Sequence, residues 1–211
     1  MSIKLVLLLL LDIVTSFQVQ NHLLQRYYQN FINERNSDII KPIDKDPKQK
    51  YQIKPPFPNG ICGGTLTTLS SKETYEKFGT QSIFLQTQNI QVWLPPDYRK
   101  NNQNYPVLYC HDGQNAMDDS NSWTGTSWRL IGALTRLHQC GDIDEIPIVV
   151  LLPSAKDDLI PGMRRRHLEY GELGQPFAEA HCDFIVEIVK PHVDRVFRTR
   201  KGPGDTYAIG K

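Results

Sequence analysis

The sequence predicts an α/β fold, a mostly parallel sheet with helices on both faces, and three observations carry that reading. Beyond residue 105, short apolar runs of strand length alternate with stretches whose apolar residues recur at helical spacing. The run Ile148-Val149-Val150-Leu151-Leu152 is apolar at every position, as a strand covered by helices on both sides must be. The order strand, helix, strand, helix, strand joins successive strands through helical crossovers, which lays them parallel in one sheet.

Taken in order, Met1 to Lys4 supplies one positive charge and Leu5 to Leu11 an unbroken apolar run, with Val14 and Ser16 at small-residue positions suited to cleavage near Ser16. Residues 1–16 therefore read as a signal peptide, which implies secretion or entry into the secretory pathway. Asp12 is awkward in such a leader, and a buried amphipathic helix is the alternative. The run is shorter than the roughly 20 residues a membrane span needs. Residues 17–60 form an extension and linker: Leu23 to Ile32 suits a short helix, and Lys41 to Pro58 is rich in Lys, Asp, Gln and Pro. The compact domain is expected over residues 61–211.

Within it, Ile83 to Leu85 and Ile90 to Leu94 read as paired strands around a Gln88-Asn89 turn, and Pro95-Pro96 ends the second. Strands are then predicted over Val107 to Cys110, Ile148 to Leu152 and Thr206 to Ile209. Between them fall helices over Trp128 to His138, with Leu130, Ile131, Leu134 and Leu137 on one stripe, and over Phe177 to Val193. Gly141 is placed to end the first helix.

Composition narrows the function classes. A chain of 211 residues with 39% hydrophobic and 22% charged residues is ordinary globular protein, and a net charge of +1 gives no field to hold nucleic acid or an anionic membrane. Cys62, Cys110, Cys140 and Cys182 suit an oxidising compartment and allow three pairings. They form no CxxC unit, so a structural zinc site is not expected; no other metal and no cofactor is expected either. Cys110, inside a strand, reads as a small buried hydrophobe.

Ligands of such sheets bind at the carboxyl ends of strands, and His111-Asp112-Gly113-Gln114-Asn115 stands at one of them. Gly113 there permits a backbone shape most residues avoid and a close approach, so that the Gln114 amide can face a cleft and donate to a developing oxyanion. The same residues also suit a plain strand-to-loop turn with Asp112 bonding its own backbone. No Gly-x-Ser-x-Gly occurs, and Ser122, Ser127 and Ser154 have no elbow around them. His138, His181 and His192 fall on or near helix faces, where a satisfied or solvated imidazole is the common state. Arg164-Arg165-Arg166 reads as a solvated loop, or as a grip for an anionic substrate.

Three stretches in fixed order carry a family likeness: Ile90-Gln91-Val92-Trp93-Leu94-Pro95-Pro96-Asp97-Tyr98, Tyr105 through Asn115, and Arg166-His167-Leu168-Glu169-Tyr170. With Glu187 to Pro191 and Phe197 to Thr199, they resemble the family called Putative esterase among the α/β hydrolases, which includes esterase D and enterochelin esterase-like enzymes. The likeness covers about residues 79–211. It implies an α/β-hydrolase-type sheet, incomplete on its C-terminal side, and an acyl-enzyme mechanism at a serine on an elbow after Thr206 to Ile209. Gln114 would supply the backbone oxyanion donor, and His111, Asp112, Gly113 and Asn115 the substrate-binding turn. The substrate would be a small ester, a carbohydrate-linked ester or a thioester. On this reading the nucleophile, acid and His lie beyond residue 211, and the chain alone is an inactive N-terminal portion. The alternative is a non-catalytic secreted binding module on the same fold.

Overall fold

The computed structural model describes residues 57–86, 88–171 and 176–210, so the leader, the helix expected over Leu23 to Ile32 and nearly all of the linker lie outside it. Five strands, β1 (Thr65–Thr68), β2 (Gln91–Leu94), β3 (Val107–His111), β4 (Ile148–Leu152) and β7 (Thr206–Ile209), form one sheet in the order β1-β2-β4-β3-β7. β2 runs antiparallel to both β1 and β4, whereas β3 is parallel to β4 and to β7. Four strands thus share one direction and β2 alone is reversed.

The period-2 geometry of strands sorts their side chains onto two cores. Val92, Val107, Tyr109, Ile148, Val150 and Leu152 face one layer, with Tyr75 and Phe78 of α1 (Ser71–Lys77) and its neighbour and with Phe184, Val189 and Val193 of the C-terminal helix. Trp93, Leu108, Cys110, Val149, Leu151 and Ile209 face the other, against Leu130, Ile131, Leu134 and Leu137 of α2 (Leu130–Gln139). Each aliphatic side chain so enclosed stabilises the fold by about 2 kcal/mol relative to exposure. Gly141, at φ 72°, ends α2 in the left-handed region, where a β-carbon would be strained. Phe57 and Pro58 already pack on this layer, since Arg129 Nη1 donates to the Phe57 carbonyl at 3.0 Å.

β4 and β7 span the residues expected of them, and β3 extends one residue further, to His111. The hairpin expected between Ile83 and Leu94 does not form. Gly79–Phe84 is a 3-10 helix with Ile83 69% exposed, because the free edge of β2 is taken by β1, brought there by the turn at Gly60 to Gly63. Trp93 Nε1 secures that turn by donating to the Ile61 carbonyl at 3.0 Å. The second long helix comprises α4 (Pro176–Asp183), a π-helical stretch Phe184–Val189 and α5 (Lys190–Val196). Pro191 has no N–H for the Glu187 carbonyl and its ring crowds that group, so the wider π register just before it relieves the conflict.

A two-stranded hairpin, β5 (Asp158–Ile160) and β6 (Met163–Arg164), follows β4 and leads into α3 (Arg165–Glu169). All four cysteines are unpaired, with Cys110 fully buried as a small hydrophobe and Cys140 exposed. Among the described residues, no helix is long and apolar enough to cross a membrane.

Candidate active site

The chain leaves β3 through α2 to reach β4 on one side, then returns over the opposite face of the sheet to reach β7 on the other. The carboxyl end of β3 is therefore a topological switch point, where the two crossovers diverge, the place at which open sheets of this kind bind their ligands. His111 to Asn115 lies there.

The turn is made by an unexpected residue. Asp112, not Gly113, takes the left-handed conformation, at φ 52° and ψ 37°. Aspartate tolerates that region better than most residues, and strained backbone of this kind gathers at functional sites. Gly113 is needed for space instead: a β-carbon there would stand 2.7 Å from backbone atoms of Leu151 and Leu152. The expectation that glycine supplies the unusual backbone is thus corrected to one of close approach.

After the turn, Gly113–Asn115 forms one 3-10 turn. The Asn115 amide donates to the Asp112 carbonyl at 2.8 Å and the Ala116 amide to the Gly113 carbonyl at 3.1 Å. The Gln114 amide, between them, donates to no acceptor among the described residues. The Gln114 side chain is clamped to the loop after β4: Nε2 donates to Ser154 Oγ at 2.9 Å, and the Ser154 amide to Oε1 at 3.1 Å. Two bonds to one side chain fix its backbone.

A second set of residues grips the turn from α3. The Asp112 carboxylate, 2% exposed, receives both Nε (2.8 Å) and Nη2 of Arg166, a bidentate pair that also holds the guanidinium in its charged form. Tyr170 Oη accepts from the Asp112 amide at 3.2 Å, and the Arg166 guanidinium lies 4.9 Å over the Tyr170 ring. Glu169, buried, accepts from the Gln86 amide at 3.1 Å and from the Ala155 amide, and burial raises its carboxyl above the usual range. Arg166 is therefore a structural cation rather than a solvated one. Arg165 lies 5.7 Å over the Phe177 ring, and Arg164 is exposed.

His111 does shape this site, together with partners that reasoning from sequence missed. Its Nδ1 is 3.3 Å from His181 Nε2, and both rings pack against Tyr170. Burial holds His111 down to about 4 and His181 down to about 3, so both imidazoles are neutral and one donates to the other. At the end of β7, a β-carbon on Gly210 would meet His111 Cβ at 2.7 Å, so the residue after Ile209 lies directly on the imidazole's base.

The expected residues are thus together, though with different tasks available to them. The side chains of Asp112 and Asn115 are occupied by protein, since Asn115 Oδ1 accepts from Ser122 Oγ and the Trp123 amide, each at 3.3 Å. Among the described residues the amides of Gly113 and Gln114 are the backbone donors of the turn with no protein acceptor. Ser122, Ser127 and Ser154 are buried in loop hydrogen bonds. Among the described residues no three His, Cys, Asp or Glu side chains gather to hold a metal.

No curated protein matches the sequence. Among solved structures, a CE1 ferulic acid esterase, AmCE1/Fae1A from the anaerobic fungus Anaeromyces mucronatus, is similar at 19% identity and a TM-score of 0.42. The similarity covers 79% of this chain and 54% of that one. The same esterase in complex with ferulic acid gives the same identity and TM-score. The BES protein from Bacillus cereus is similar at 16% identity and a TM-score of 0.36, over 78% of this chain and 55% of its own. The chain spans about half the length of these structures. The profile of the family described as Putative esterase matches residues 82–211, from the approach to β2 through β7, and the chain belongs to that family of α/β-type proteins.

Proposed function

We propose that the chain forms the oxyanion-binding half of a serine ester hydrolase. Its Gln114 amide donates to the oxygen that becomes negative when a hydroxyl attacks the ester carbonyl. The observation that carries the reading is that amide, unpartnered among the described residues at the switch point and fixed by the Gln114–Ser154 clamp. One such donor is worth roughly 10² to 10³ in rate, because it is aimed before charge appears.

In the full reaction, a serine on an elbow after β7 would attack and form an acyl-enzyme, which water then hydrolyses. The close packing of Gly210 on His111 supports the placement, since it brings the end of β7 beside the turn. No Gly-x-Ser-x-Gly elbow of that kind occurs within residues 1–211. The substrate class is small esters, including carbohydrate-linked esters and thioesters, and the proposal of export rests on the apolar run Leu5 to Leu11 read as part of a signal peptide.

The test compares p-nitrophenyl butyrate hydrolysis by the 211-residue protein and by the product of the complete transcript. Turnover by the latter alone, abolished by a serine-reactive phosphonate, is the expected result. Phosphonate-sensitive turnover by the 211-residue protein would overturn the placement of the nucleophile outside these residues and reject a non-catalytic binding module, whereas no turnover by either protein would overturn the hydrolase reading and favour that module.

A further inference from the structure

Trp123 is 81% exposed, while Trp93 is fully buried and Trp128 partly so. Leaving an indole in water forgoes much of the largest apolar burial any side chain can give. A single exposed apolar side chain is ordinary on a protein surface, but an exposed indole on a rigid backbone next to the Gln114 turn is available for stacking.

The backbone beneath Trp123 is tied down at every turn. Residues 115–128 form a compact loop whose ends meet, the Trp128 amide donating to the Asn115 carbonyl at 2.7 Å and the Leu130 amide to the Ala116 carbonyl at 2.8 Å. Inside it, Ser122 Oγ donates to the Thr126 carbonyl at 2.8 Å, the Ser127 amide to Asp119 Oδ1 at 2.8 Å, and Arg129 Nη2 to Asp119 Oδ2 at 2.8 Å. The centre of the loop is Asn115, whose Oδ1 accepts from Trp123's own amide. Asn115 is the residue after Gln114. The same side chain therefore anchors the oxyanion turn's last residue and the tryptophan at the loop's tip, and compact loops of this kind are frequent carriers of function.

We infer that Trp123 is a specificity residue, a flat apolar platform on which a ring of the ester substrate stacks, either an aromatic ring or the C–H face of a pyranose. The inference rests on the esterase reading for its substrate, but not on the presence of a nucleophile, because stacking needs only the loop and the turn. A rigid indole loses little entropy on contact, and ring stacking adds roughly 1 kcal/mol beyond area burial.

The experiment is a calorimetric titration of the 211-residue protein with benzyl acetate, methyl 6-O-acetyl-glucopyranoside and ethyl acetate. At least one ring-bearing ester is expected to bind about tenfold more tightly than the ringless one. Which of the two does so tells an aromatic from a carbohydrate group. Trp123→Ala abolishes that preference and Trp123→Phe keeps most of it, with melting temperatures unchanged because the side chain is exposed. Equal binding of all three esters, no saturable binding of either ring ester, or a preference that survives in Trp123→Ala would overturn the inference. Ring-dependent binding without any phosphonate-sensitive turnover in the complete protein would leave the platform standing and remove the hydrolase.

Discussion

At the scale of single residues, the site depends on a buried carboxylate that has one charged partner. Asp112 is almost completely enclosed, and Arg166 meets both of its oxygens from 54 positions further along the chain. Removing the guanidinium leaves a buried charge unpaired, at a cost of about 3 kcal/mol. Arg166→Met is therefore expected to lower stability by about that amount, and Arg166→Lys by less, since it keeps the charge and loses the fork. Urea unfolding checks both, and a Met variant as stable as the parent would contradict the pairing. This contact also marks the limit of what could be read from the residues alone. The spacing of Arg166, Glu169 and Tyr170 was visible, and the family resemblance singled it out, but nothing local says that its arginine crosses to Asp112. For the same reason the sequence places His111 in the turn and His181 on a helix face, and nothing local pairs the two imidazoles.

At the scale of elements, local pattern served best where burial is symmetric. β4, apolar on both faces, and β7 carry their boundaries in their composition. α2 begins two residues after its expected start, because Arg129 at φ 53° precedes it in a left-handed conformation. Pattern failed where two segments compete for one edge: Ile83 to Leu85 has a strand's composition, yet Thr65–Thr68 occupies the place beside β2. It failed again at the π stretch, where Pro191 acts on the preceding turn rather than on its own. β7 stands at the end of the sheet order, with no strand on its outer side among the described residues. An open parallel edge is a template for pairing with another molecule. The 211-residue protein is accordingly expected to self-associate, and Ala208→Lys, at an exposed position of β7, to reduce that association. Sedimentation velocity of the two proteins decides the point, and a monodisperse parent would speak against an open edge.

For the whole molecule, the paired imidazoles set the response to acid. His111 and His181 fall well below 6.5 on folding because burial disfavours their charged forms, and Tyr170 and Asp112 are the groups facing them. The unfolded chain therefore takes up protons near 6.5 that the folded chain refuses until about 4, so stability is full above that window and declines through it as pH falls. Glu169, raised by burial, acts in the opposite sense, but it is one group against two. The melting temperature should drop between about pH 7 and about pH 5, and a His181→Phe variant should show a smaller drop. A parent whose melting temperature is flat over that range would remove the neutral pair from the account.

The proposed function rests on one N–H, that of Gln114, in a turn fixed by the Ser154 clamp. The most direct measurement is a ¹H–¹⁵N spectrum of the 211-residue protein titrated with methylphosphonate, an anion shaped like the tetrahedral intermediate of ester hydrolysis. The Gln114 amide is predicted to exchange with water readily and to shift on titration, while the Asn115 and Ala116 amides, bonded within the turn, exchange slowly and shift little. A Gln114 amide that is protected from exchange and indifferent to the anion would contradict the assignment of this turn as an oxyanion cradle.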